Sequence, residues 1–294
     1  MTTESGAITS GAEDAAPVAR TADPNPTRPF YWSVRRELWE NRAIWMAPLI
    51  TAGAVLFMFL LIMVLMTRPG RVPALPYDIA PSFVLVAMFL VWVFFCLEAL
   101  QGERRDRSIL FWKSLPVSDL TTVLSKAAIP LLVLPIVTFV VTAALQLALW
   151  LAHKAAGLVV GVPAGSPGPF PLLRSWGMLL YGLAAMTLWH APIYAWVLLV
   201  SAWARRATLV WAALPLAALA KLEQVTLGSS YLSSVFIAPA EAFVSRPRPF
   251  LLIDPTDTIA PVKFLSSPSL WIGLAVAALL LYAAVRLRRL RSTL

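Results

Sequence analysis

The sequence predicts an all-α integral membrane protein with six transmembrane helices, and three observations predict it. Of 294 residues, 59% are hydrophobic and only 13% charged, with a mean hydropathy of +0.76. A soluble globular domain carries about 25% charged residues. Several apolar runs reach about 20 residues, enough to cross roughly 30 Å of hydrocarbon as helices. These runs do not alternate polar and apolar positions, which a spanning β-barrel requires.

Taken in order, residues 1–27 are rich in Ala, Thr, Pro, Glu and Asp without periodicity and read as a disordered tail. Residues 28–43 read as an interfacial amphipathic helix. Phe30, Tyr31, Val34, Leu38 and Trp45 fall near one helical face, with Arg35, Arg36, Glu37 and Glu40 largely elsewhere. The plainer reading is the start of the first span. A six-helix transmembrane domain is expected over 44–286, with spans at about 44–66, 79–100, 121–150, 175–201, 207–227 and 269–286.

The third span is long enough to tilt, and Pro130 and Pro135 are expected to kink it. The fifth must run past Lys221 and Glu223, because its clean apolar part ends at Ala220, only about 20 Å of helix above Arg206. Residues 151–174, with Gly161, Pro163, Gly165, Pro167, Gly168, Pro169 and Pro171, read as a loop. Residues 228–268 contain an apolar stretch at 231–244 among several prolines. They read as a re-entrant or surface hairpin before the last span. Residues 287–294 form a basic tail.

The net charge of +9 is concentrated at the ends of apolar runs, where a topology signal explains it. With both termini inside, the inner segments hold 16 of the 24 Lys and Arg residues. The positive-inside rule therefore predicts cytoplasmic N- and C-termini, and an even number of spans agrees. The first apolar run starts near Ile44, so no cleavable signal peptide is expected. Cys96, the single cysteine, has no partner for an intramolecular disulfide.

No GxxxxGK[ST] motif is present, so no P-loop is expected in this chain; nor is there an HExxH. The histidines are His153 and His190 alone, which argues against a metal site. Glu98, His190, Lys221 and Glu223 are ionisable groups at membrane depth and are candidates for a translocation path. The plainer alternative pairs Glu98 with Arg104 or Arg105, carries Lys221 and Glu223 to the outer interface, and lets His190 bond a carbonyl freed by Pro192.

The densest charged block between two apolar runs covers 103–126. It opens with Glu103, Arg104, Arg105, Asp106 and Arg107, turns apolar through Ile109, Leu110, Phe111 and Trp112, and stops at Leu115-Pro116. Ser118 or Asp119 then reads as the N-cap of the next helix. Glu103-Arg104, then Ser108-Ile109-Leu110-Phe111, then Ser114-Leu115-Pro116-Val117-Ser118, with Lys126 closing the block, resembles the permeases of ABC-2 type transporters. Their loop after the second span commonly reads E-R-x-x-G-T-L-x-L-L-L-S-L-P-V-S. Arg107 stands here where that family usually has glycine, and Ser108 where it has threonine.

The resemblance implies that 103–115 is a cytoplasmic coupling helix seated in a cleft of a separate P-loop ATPase. Glu103, Arg104, Arg105, Arg107, Ile109, Leu110, Phe111, Trp112, Leu115 and Pro116 would make the contact. It further implies two permease copies, two ATPase copies carrying ATP and Mg, no cofactor or catalytic residue in this chain, and a bacterial inner-membrane location. The implied activity is ATP-driven alternating access, mostly export. The alternative is a stand-alone secondary transporter or channel using the intramembrane ionisable residues.

Overall fold

The computed structural model describes residues 27–68, 80–102, 118–161, 169–204, 206–228 and 265–290. The tail at 1–26, the coupling segment with all ten residues expected to touch an ATPase, and nearly all of the 228–268 hairpin region lie outside them. The described chain is all-helical, and six of its helices are long and apolar enough to cross a membrane.

Helix α1 (Thr27–Glu40) precedes α2 (Ala43–Met66), the most apolar span and the one least covered by the rest of the bundle. Helix α3 (Ala80–Glu98) packs on α2. Phe59 and Met63 of α2 belong to the same buried cluster as a stripe of α3 residues at helical spacing, Val84, Met88, Val91 and Phe95. Cys96 is buried and free.

The third span is a composite of α4 (Asp119–Ala128), a π turn (Ile129–Val133) and α5 (Leu134–Val160). Pro130 has no N–H to donate, and its ring clashes with the carbonyl four residues back. The helix accommodates it by widening, so that the Leu134 N–H reaches Ile129 O. Together these elements run 42 residues, about 60 Å at 1.5 Å per residue, twice the hydrocarbon thickness.

The expected loop at 151–174 is therefore corrected at both ends. Residues 151–160 continue α5 because Leu, Ala, His and Lys are tolerable helix formers and one interior glycine, Gly157, costs only about 1 kcal/mol. The helix stops at Gly161, whose left-handed φ of 70° supplies the C-cap. Helix α6 (Pro169–Trp203) then begins at a proline, which a first helical turn accepts because its N–H would be unpaired anyway.

Helix α7 (Thr208–Leu227) runs past Lys221 and Glu223, as its length requires. Helix α8 (Pro268–Leu290) extends beyond the expected end at 286 and takes Arg288 and Arg289 into its last turn, where cations complement the helix dipole. The basic tail assigned to 287–294 is thus helical through Leu290. The closest pairing in the bundle is α6 with α8. Its seam is made of small residues, Ala191, Ala195 and Ala277, and a Cβ added at Gly273 would lie 3.3 Å from the Pro192 ring.

Candidate functional site

The described residues on both sides of 103–117 are fastened to the rest of the bundle. On the entry side, α3 ends at Glu98 and leaves backbone groups without helical partners. Ser201, on α6 and fully buried, takes them up. Its hydroxyl donates to Leu97 O at 2.9 Å and accepts from the Leu100 and Gln101 N–H groups at 3.0 and 3.1 Å. One donor and two lone pairs are all a hydroxyl has, so Ser201 is fully used. The Thr208 hydroxyl, in the first turn of α7, donates to the Gln101 side-chain carbonyl.

On the exit side, Ser118 is the N-cap of α4 and accepts from the Thr121 N–H at 3.1 Å. Asp119, freed from capping, takes Arg288 of α8 at 3.0 Å. Two turns on, Lys126 reaches Glu37 of α1 at 2.8 Å, with both side chains 3% exposed. Arg36 lies 3.2 Å from the same carboxylate oxygen. Either charge buried alone would be costly; together they are a paired, hydrogen-bonded unit.

The sequence reading put Lys126 in the block but missed its partner, having set Glu37 apart from the apolar face. Val34, Glu37, Leu38 and Asn41 share one face at spacings of three, four and seven, and Val34 and Leu38 pack on the core. A carboxylate inside that apolar stripe was the available signal. Nothing local marks Ser201, Thr208 or Arg288 as its partner's match.

The four path candidates are not brought together. Glu98 is exposed at the end of α3. Lys221 is exposed and donates to Gln224 at 3.1 Å rather than pairing with Glu223, which is buried. His190 lines a cavity, a cleft of about 350 Å³ between α3, α6 and α7, whose walls are otherwise apolar or aromatic, with Phe89, Trp92, Ile193 and Leu216 among them. Its Nδ1 lies 2.8 Å from Met186 O, so Nδ1 carries the proton and a neutral ring keeps Nε2 as an acceptor. The carbonyl freed by Pro192 would be that of Leu188, so His190 has a different partner from the one expected.

Among the described residues no group of three or more metal-ligating side chains occurs. The fold and these contacts define a multi-pass helical membrane protein. No family model, no curated protein and no solved structure matches the chain.

Proposed function

We propose that this chain is the membrane subunit of an ABC-2 type, ATP-driven transporter, two copies of which assemble with two separate P-loop ATPase subunits. The observation that carries the reading is the fastening of both flanks of 103–117, the stretch whose sequence resembles a coupling helix. A push on that stretch passes through Ser201 and Thr208 into α6 and α7, and through Asp119 and Lys126 into α8 and α1. Helices α3, α6 and α7 also wall the cleft, so tilting them changes its access. ATP and Mg act on the partner subunit; this chain supplies the transmission and the path.

The cleft, lined mostly by apolar and aromatic side chains, suits a largely apolar molecule. A volume of about 350 Å³ lies at the lower end of the range for small-molecule sites. The direction of transport is taken as export, the habit of the family resembled. Both termini are assigned to the cytoplasm of a bacterial inner membrane from the arginine distribution. A cysteine at Ser166, in a Cys96→Ser background, should then react with an impermeant thiol reagent from outside. Labelling only after lysis overturns the orientation.

The deciding experiment purifies the tagged chain gently from its native membrane. A stoichiometric P-loop ATPase should accompany it and be lost from the Phe111→Ala/Trp112→Ala variant while insertion survives. Isolation of the chain alone, even after cross-linking, removes the proposal. A stand-alone transporter gains no support from the dispersed Glu98, His190, Lys221 and Glu223.

A further inference from the structure

Helix α1 buries Glu37 against Lys126 and packs Val34 and Leu38 on the core, and among the described residues another face of it is left exposed. That face carries Tyr31, Trp32 and Trp39, which are 57%, 56% and 66% exposed. Such aromatic exposure in one strip marks a surface made for a partner. Between the two tryptophans in sequence stands Arg35. Its guanidinium carbon lies over both indoles, 5.0 Å from the Trp32 ring centre and 4.8 Å from that of Trp39. Stacking against aromatic faces holds a guanidinium while leaving its in-plane N–H fork for an anion.

The helix supplies no anion of its own. Glu37 is engaged by Lys126 and Arg36, and Glu40 by Arg36 at 3.1 Å. Among the described residues no carboxylate or carbonyl takes the Arg35 donors. Further along the chain Trp45, 44% exposed, and Leu49 and Ile50 present apolar surface on α2, the span least buried within the bundle. The occupant continuous with that apolar surface is lipid. At its edge, where aromatic rings are favoured, the matching anion is a phosphate.

We propose that Trp32, Arg35 and Trp39 form a binding site for the headgroup of an anionic phospholipid, the guanidinium taking the phosphate and the indoles lying in the headgroup layer. The site rests on the reading of α1 as a helix at the membrane surface, and it would anchor the helix that holds Lys126 through Glu37.

The test uses the full chain reconstituted in mixed phosphatidylglycerol and phosphatidylcholine vesicles, then extracted and weighed by native mass spectrometry. Wild type should retain phosphatidylglycerol in preference to phosphatidylcholine. Arg35→Gln should lower that retention about tenfold, and Arg35→Lys, which keeps the charge without the planar fork, should restore less than half of it. Arg286→Gln, removing an exposed arginine that stacks on Tyr282 at 5.6 Å, should change it less than twofold. Equal losses in the Arg35→Gln and Arg286→Gln variants, or no lipid preference at all, overturn the site. A nitroxide on Tyr31→Cys in a Cys96→Ser background separates the two failures. Contact with oxygen-rich lipid upholds the surface position of α1 whatever the lipid count, and free collision with an aqueous nickel complex removes that position and the site together.

Discussion

Ser201 shows how much one small side chain can hold at a helix end. Its hydroxyl, itself fully buried, serves the Leu97 carbonyl of α3 and the N–H groups of Leu100 and Gln101 just beyond the helix. Replacing it by alanine leaves those groups without their partner, at about 1–3 kcal/mol for each group left unsatisfied after relaxation. Ser201→Ala should therefore melt several degrees lower in detergent, whereas Ser175→Ala, which removes only a 3.3 Å contact to Gln146, should move far less. Equal melting shifts in the two variants would show that α3 finds other partners. The Glu37–Lys126 pair follows a related logic. Lys126→Met still leaves Glu37 the Arg36 guanidinium at 3.2 Å, which places its cost toward the lower end of the roughly 3–5 kcal/mol typical of a broken buried pair.

At the scale of elements, the spans were legible because hydropathy is a local property, read within one window of the chain. The composite third helix was legible only in part. Pro130 announced an irregularity, but whether a proline bends a helix or opens a π turn depends on the neighbours that accept the widened turn. The helical stretch 151–160 is hidden in the sequence because the glycines and prolines from Gly161 to Pro171 mark the whole of 151–174 as a loop. His153 and Gly157 are buried against the bundle, and tertiary packing overrides that weak local preference. Pairings 89 and 169 positions apart, Glu37 with Lys126 and Asp119 with Arg288, leave no periodic trace at all. The α6–α8 seam gives this scale its prediction. Gly273 meets the Pro192 ring, which cannot rotate away, while Gly177 on α6 faces open space. Gly273→Leu should cost about 1–3 kcal/mol by overpacking. Gly177→Leu should be neutral or mildly stabilising, and comparable thermal melts for the two variants would mean that the seam is looser than described.

For the whole molecule, the fastening of α4 matters more than any single contact. Its first residue is tied to α8 and its last turn to α1, so the elements nearest the two ends of the chain meet on the helix that follows the proposed coupling segment. If motion of that segment is what drives the spans, loosening one tie should leave the assembly intact but let the push dissipate. Arg288→Gln is the cleanest loosening, because Asp119 is 22% exposed and can be solvated once released. The expected outcome is an ATPase that still co-purifies and still hydrolyses ATP, with fewer substrate molecules moved per ATP. Because an exposed pair contributes only about 0–1 kcal/mol and this one is partly buried, the melting temperature should fall modestly. Restoring a cation at the same place with Arg288→Lys should recover part of the transport ratio. An unchanged ratio in Arg288→Gln would mean that force leaves the loop through Lys126 or Ser201 alone. Loss of the ATPase itself would make the tie an assembly contact rather than a transmission.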